Sequence, residues 1–215
     1  MNTTRIDWRS AGLAAVLSLV PMLRAAPAAP NWQPLFNGRD LAGWVVPSPN
    51  PYWRVEQGVL VGESDEKLTG SMLRTEKKFG DFVFEADVRW QGDPDSGVFM
   101  RTPALQVQIG TSISQKRDLT GSFYLGGYPE HAQAKDAAKY LKKPGEWNNQ
   151  EIRADRRHIR VTLNGSVIVD ANLDKVTDPE VLREQPGLQR SQGHVGFLGH
   201  SSRIEFRNLR IKELK

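Results

Sequence analysis

The chain contains no cysteine. That absence excludes a disulfide framework, a thiolate metal site and a cysteine nucleophile. It also lacks a long hydrophobic run. The most apolar stretch, residues 11–22 (AGLAAVLSLVPM), falls short of the roughly 20 residues that a membrane-spanning helix needs. No strong excess of one charge is present. Of the formal +4, the balance of Arg5, Arg9 and Arg24 against Asp7 accounts for +2, leaving +2 scattered over the rest. Such weak, dispersed charge excludes a nucleic-acid-binding surface as the organising feature. There is no internal repeat and no low-complexity tract.

What remains is a globular composition, 39% hydrophobic and 25% charged, in 215 residues. That length suits one domain. Arg5 and Arg9 precede the apolar run, and Ala26-Pro27-Ala28 follows it with small residues at the cleavage-site spacing. Residues 1–28 therefore read as a signal peptide, and residues 29–215 as the mature domain. The alternative is an uncleaved N-terminal anchor. The export reading places the protein in the periplasm or outside a bacterial cell, with no membrane span once the leader is removed. Without cysteines, an exported chain must rest on its hydrophobic core, for which the mature length suffices.

Beyond the leader, turn-forming residues recur at short intervals between alternating segments. Strands are expected near 33–36, 53–56, 59–62, 71–75, 82–90, 97–102, 105–109, 121–125, 147–154, 158–163, 167–170, 194–198 and 203–211. Phe82, Phe84, Ala86, Val88 and Trp90 alternate with Val83, Glu85, Asp87 and Arg89, as in a strand with one buried face. Asn164-Gly165 between RHIRVTL and SVIVD is a hairpin signal, because a type I′ turn needs two residues at positive φ. This many short strands predict an all-β, two-sheet sandwich. One helical excursion is expected over residues 131–141 (HAQAKDAAKYL), and residues 174–192 read as a polar insertion with little strand character.

Six phrases, in order, carry a resemblance. They are Leu35-Phe36-Asn37-Gly38-Arg39-Asp40-Leu41-Ala42-Gly43-Trp44, Trp53-Arg54-Val55-Glu56-Gln57-Gly58-Val59-Leu60, Ser96-Gly97-Val98-Phe99-Met100-Arg101, Gly145-Glu146-Trp147-Asn148, Leu163-Asn164-Gly165, and the closing Ile204-Glu205-Phe206-Arg207-Asn208-Leu209-Arg210-Ile211. Together they resemble the 3-keto-disaccharide hydrolase domain, over about residues 32–213. The resemblance implies a concanavalin-like jelly roll in an exported bacterial protein that acts on carbohydrates, in some members on glycosides oxidised to a 3-ketone. Two departures stand out. Gln106 occupies a position where many members carry glutamate, and Leu198 one where many carry glutamine, two residues before a retained histidine, His200.

The candidate site residues follow from these patterns. Gln106 and Gln108 share one strand face while Leu105, Val107 and Ile109 share the other, and two amides suit sugar hydroxyls. A solvated outer face is the bland alternative. Arg101 is read as a fork for a carboxylate or sugar oxygen, or as a structural ion pair. Asp93 and Asp95 sit in the turn before it, where aspartates cap turns, ligate cations or act as bases. His200 changes charge near neutral pH and is the leading titratable candidate. With Asp95 it is taken as base or metal ligand, so a divalent ion is a possible cofactor. Glu146, Trp147 and Asn148, together with Tyr124, are taken as further substrate-binding positions. Trp147 offers a face for sugar stacking, though tryptophan suits a core equally. Glu85-Ala86-Asp87 lacks the third acid of a β-glucanase strand, since that position is Trp90. No matched pair of carboxylates for ordinary glycoside hydrolysis is evident.

Overall fold

A computed structural model describes residues 31–214, apart from 51, 68, 102–104 and 126. The expected signal peptide, 1–28, and Thr102 of the expected strand 97–102 lie outside the described residues. The strands, in chain order, are β1 Gln33–Pro34, β2 Trp44–Val45, β3 Trp53–Glu56, β4 Val59–Gly62, β5 Ser71–Phe79, β6 Phe82–Trp90, β7 Asp95–Met100, β8 Leu105–Ser112, β9 Arg117–Asp118, β10 Phe123–Tyr124, β11 Asn148–Asp155, β12 His158–Leu163, β13 Ser166–Asn172, β14 Gly193–Gly199 and β15 Ile204–Glu213. They build two antiparallel sheets. The first has the order β13-β12-β11-β6-β15-β4-β3, with β1 also on β15. The second has the order β10-β8-β7-β14-β5-β2, with β9 on β8. This is the expected jelly-roll sandwich.

Alternation puts the core between the sheets. Phe82, Phe84, Ala86 and Val88 of β6 face Val98, Met100, Leu105, Val107 and Ile109 of the second sheet, all buried. Phe197 on β14 is the hub. Its ring stacks on Phe206 at 4.2 Å and on Trp44 at 5.4 Å, and tilts against Phe84 at 6.1 Å and Trp53 at 6.4 Å. One aromatic side chain thus ties four others, drawn from both sheets.

The opposite face of the first sheet is a charge ladder. Arg210 pairs with Glu85 at 2.8 Å, Arg207 with Asp87 at 3.2 Å, and Glu205 lies between Arg203 and Arg89. Burial pushes the Glu205 carboxyl up, but Arg203 and Arg89 outweigh it and hold it below the usual glutamate value. Cross-strand pairs of opposite charge satisfy register on a face that water can reach.

One expectation needs correction, and one gains detail. Residues 131–141 do not form one helix. A short 3-10 turn at Glu130–Ala132 and a four-residue helix, α1 (Ala137–Tyr140), are separated by Asp136 at φ 54°, a left-handed residue that a helix cannot continue through. The 174–192 insertion carries a helix, α2 (Pro179–Glu184). Its signal was present: Asp178 accepts from the backbone N–H of Glu180 and Val181, and Pro179 occupies the first turn.

If Phe197 organises the core as described, Phe197→Ala will lower unfolding stability by about 3–5 kcal/mol. Chemical denaturation monitored by tryptophan fluorescence reads this directly, because Trp44 and Trp53 flank the deleted ring.

Candidate functional site

Two chain crossings between the sheets lie side by side and create the site. The first leads from β6 to β7 through residues 91–94, and the second from β14 to β15 through residues 200–203. Because β6 pairs with β15 and β7 with β14, the crossings occur at the same end of the sandwich. Pro94 and Ser201 bridge them. The Ser201 hydroxyl accepts from the Asp95 backbone N–H at 2.9 Å and donates to the Asp93 carbonyl at 3.1 Å. Its own carbonyl accepts the Ser64 hydroxyl at 2.9 Å. Ser201 holds φ 67°, a left-handed conformation that costs a non-glycine residue about 1 kcal/mol or more. The clamp offsets that cost.

The clamp sets Asp95 beside His200. The Asp95 Oδ2 and His200 Nδ1 are 4.0 Å apart, and both side chains are largely covered. That separation is an ion-pair distance rather than a hydrogen bond. Each Asp95 oxygen already accepts an N–H: Oδ1 from Gln108 Nε2 at 2.8 Å, and Oδ2 from the Ile113 backbone at 2.9 Å. Gln108, only 1% exposed, accepts at its Oε1 from Gln106 Nε2 and from the Tyr128 hydroxyl, both at 2.8 Å. Gln106 Nε2 also donates to the Ser96 carbonyl at 3.2 Å. Burial, and then the nearby Asp95 charge, push the Tyr128 phenol above its usual value, so it stays protonated and can donate.

Register defines what lies next to this cluster. Phe99 opposes Gln106 and Gly196, Gly97 opposes Gln108 and Leu198, and Leu198 opposes Met72. All of these residues share the outer face of the second sheet. Gly97 and Gly196 leave it low. A Cβ at Gly97 would sit 2.5 Å from Gln106 Nε2, and one at Gly196 would sit 2.3 Å from the Leu73 carbonyl. Met72 (37% exposed) and Val45 (38% exposed) extend the apolar floor. Tyr124 lies opposite Gln106 and packs edge-on against Tyr128 at 5.2 Å. Arg74, across from Gly196, marks the far end, about 13 Å of strand from the Gly70–His200 position at about 3.3 Å per residue. That span exceeds one pyranose ring. An apolar floor with polar groups at its margins suits the face of a sugar. A cleft of about 430 Å³ opens beside Tyr128, walled by Leu125, Pro129, His131, Val176 and Val181.

The structure thus gathers Asp95, His200, Gln106, Gln108 and Tyr124, and adds Tyr128, Arg74 and Ser201, which sequence reasoning missed. Tyr128 sits in a loop without strand periodicity. Asp93 contributes its carbonyl, and its side chain is exposed. As donors for a divalent ion the residues fit poorly. Asp95 is already held by two N–H donors, and among the described residues no three His, Asp or Glu side chains converge.

The other expected positions lie elsewhere. Arg101 is 1% exposed at the opposite end of β7. There it donates to Asp81 Oδ1 at 3.0 Å and to the Arg156 carbonyl at 2.5 Å. Its φ of 52° turns it out of the strand alternation, and it serves as a buried structural ion pair rather than a substrate fork. Trp147 lies between the Arg89 and Arg207 guanidiniums at 4.5 and 4.2 Å, on the outer face of the first sheet. Its faces are covered by cations and do not offer a sugar platform. Asn148 is buried and accepts from the Lys142 N–H and from Asn164, while Glu146 caps the turn through the Lys143 N–H. These three order the approach to the Asn164-Gly165 hairpin. A cleft of about 670 Å³ lined by Glu85, Asp87, Arg207 and Arg210 is likewise built from side chains that neutralise one another.

Removing the Ser201 hydroxyl tests the clamp. Ser201→Ala will cost about 1–2 kcal/mol of stability for two hydrogen bonds. The histidine and Ile113 amide NMR signals will shift with it, reporting that Asp95 and His200 have lost register.

A model of the 3-keto-alpha-glucoside-1,2-lyase-like domain matches residues 31–212. No curated protein matches the chain. Among solved structures, a candidate glycosyl hydrolase from Parabacteroides distasonis ATCC 8503 is 25% identical, with 85% of this chain and 99% of that chain covered, at a TM-score of 0.66. A second structure so described from that organism is 23% identical, over 86% and 94% of the two chains, at 0.63. A Bacillus subtilis protein of unknown function with a galectin-like fold is 12% identical, over 85% and 94%, at 0.54, and shows the shared fold alone. By the match that spans nearly all of its described length, the chain belongs to the 3-keto-alpha-glucoside-1,2-lyase-like domain family.

Proposed function

We propose that this protein cleaves the glycosidic bond of 3-keto-glycosides on the outer face of its second sheet, with His200 as base and Asp95 as its electrostatic partner. The observation that carries this reading is the meeting of Asp95 and His200 at 4.0 Å beside a low apolar floor. Among the described residues, two flanking carboxylates, as ordinary glycoside hydrolysis requires, are not assembled around this pair. A 3-ketone removes that requirement. It acidifies the proton at C2, so one base suffices to start an elimination.

In the proposed sequence, His200 takes the C2 proton and the C2–H electron pair enters the enolate, with charge on the C3 oxygen. Asp95 stabilises the imidazolium that forms. The enolate pair then returns to form the C1–C2 double bond as the C1–O bond breaks. The departing oxygen leaves with a proton from the imidazolium, which restores the base. Addition of water across the double bond, hydroxyl to C1 and proton to C2, completes a net hydrolysis. Met72, Leu198 and Phe99 would carry the sugar's apolar face, and Arg74 would reach the unit beyond the scissile bond. The arginine-containing, apolar leader in residues 1–28 supports export to the periplasm or outside the cell, where such glycosides would be met.

A nitrophenyl 3-keto-glucoside supplies the assay, because elimination releases the coloured phenol. Turnover is expected from the wild-type protein. His200→Ala should lose it by a factor on the order of 10² to 10⁴, and Asp95→Asn by about 10²-fold. Full activity in the histidine variant would exclude His200 as base. Calorimetric binding of glycans without any turnover would favour a non-catalytic carbohydrate-binding module instead.

A further inference from the structure

Two carboxamides and a carboxylate form an unbroken hydrogen-bonded line on the outer face of the second sheet. Both ends of the line are backbone groups whose polarity cannot change. At one end the Ser96 carbonyl can only accept, and Gln106 Nε2 lies 3.2 Å from it. At the other end the Ile113 N–H can only donate, and Asp95 Oδ2 lies 2.9 Å from it. The Ser96 carbonyl orients Gln106 with its nitrogen inward, so that nitrogen must donate to Gln108 Oε1 at 2.8 Å. Gln108 is then left with its own nitrogen toward Asp95, which accepts it at 2.8 Å. Tyr128 reinforces this sense by donating to the same Gln108 oxygen. At 1% exposure, Gln108 has no water to exchange partners with.

We infer that Gln106 is a positioning residue. Its amide sets the direction of the whole line and thereby presents Asp95 to His200 as an acceptor fixed by two N–H donors. This inference rests on the reading of Asp95 and His200 as the reacting pair. It makes a chemical demand at position 106 that shape alone does not. Glutamate has the same outline as glutamine, yet its ionised carboxylate has no N–H for the Ser96 carbonyl or for Gln108. A carboxylate there would draw the Gln108 nitrogen to itself and turn Oε1 toward Asp95. Two acceptors would then face each other unless a proton came between them. Asp95 would lose its lateral donor and swing from the place where it faces His200. Gly97 is part of the same device: its missing Cβ is what lets the Gln106 side chain lie across the strand within donor range.

The test compares wild type with Gln106→Glu and Gln106→Met. The titratable side chains that face Asp95 are His200 from the second crossing and Tyr128 from the loop beyond β10, and both remain in every variant. The first readout needs no substrate. At one fixed pH, the wild-type Gln108 side-chain NH₂ and Ile113 amide should give the NMR shifts of N–H groups hydrogen-bonded to the Asp95 carboxylate. In Gln106→Glu both signals should move, as the Gln108 amide reverses and Asp95 swings. The second readout is kinetic. Gln106→Glu should lose kcat on the order of 100-fold, with KM little changed, the loss expected for a reacting group held about 1 Å out of place. Gln106→Met removes the donor without adding an acceptor. It should lose less, because the Tyr128 hydroxyl still holds Gln108, and it covers the case in which the glutamate variant does not fold. Wild-type amide signals in Gln106→Glu, or turnover equal to or above wild type, would overturn the inference. Absence of turnover in the wild type would sink the proposed reaction, while the NMR comparison would still decide the direction of the line.

Discussion

The Ser201 clamp is the constraint on which the rest of the site depends. Inside a sheet the side chains stand on a fixed lattice, so a residue of the β14–β15 connection reaches Asp95 only where the chain passes between sheets. Here two passages run next to each other, and a single hydroxyl spans them, accepting from Asp95 and donating to Asp93. The left-handed backbone at Ser201 is held against its intrinsic cost by these bonds and by Ser64. Asp95 and His200 are therefore neighbours by topology first and by electrostatics second. Without the clamp, the second crossing would lose its tie to the start of β7, and with it the bonds that hold His200 4.0 Å from Asp95.

The two outer faces of the sandwich solve the problem of exposure differently. The first sheet covers its outer face with paired charges, and Arg89 and Arg207 close over Trp147. Glu85, Asp87, Glu205, Arg89, Arg203, Arg207 and Arg210 are all paired, so little of this ladder is left to recruit a ligand. The second sheet leaves glycines at the centre of its face and apolar side chains around them, with amides and a carboxylate at one margin. Those amides do not reach outward to hydroxyls, as their type alone would suggest. They are consumed by each other and by Asp95. The polar groups of this corner therefore hold Asp95 in place, and the apolar floor and Arg74 are left open on the same face.

Periodicity carried most of the architecture. The alternation in β6 and β8, the Asn164-Gly165 hairpin and the regular turn spacing led to the two-sheet sandwich, because each is a local consequence of backbone geometry. It failed where local and tertiary demands diverged. The alanine- and lysine-rich 131–141 segment has helical composition but breaks at Asp136, whose left-handed backbone a helix cannot continue through, while Ala132, Ala134, Ala137 and Leu141 pack on the core from the separate turns. Arg101 looked like a strand-end fork and is a buried ion pair, because a positive φ reverses its direction. Trp147 looked like a platform and is stacked between arginines that are far from it in sequence.

By itself, the sequence determined the class of fold, which strand faces are buried, and the pairing of the adjacent hairpins, all of which depend on residues within a few positions of one another. It also singled out positions 95, 106, 108 and 200. Only the tertiary structure decided that these four meet, that Tyr128 joins them and that Arg101, Glu146, Trp147 and Asn148 do not. The reason is that β7 and β14 are separated by about half the chain and become neighbours only when the sheets assemble. Hydrogen-bond direction is likewise invisible in sequence, because an amide can point either way until fixed backbone groups at both ends of its line choose for it.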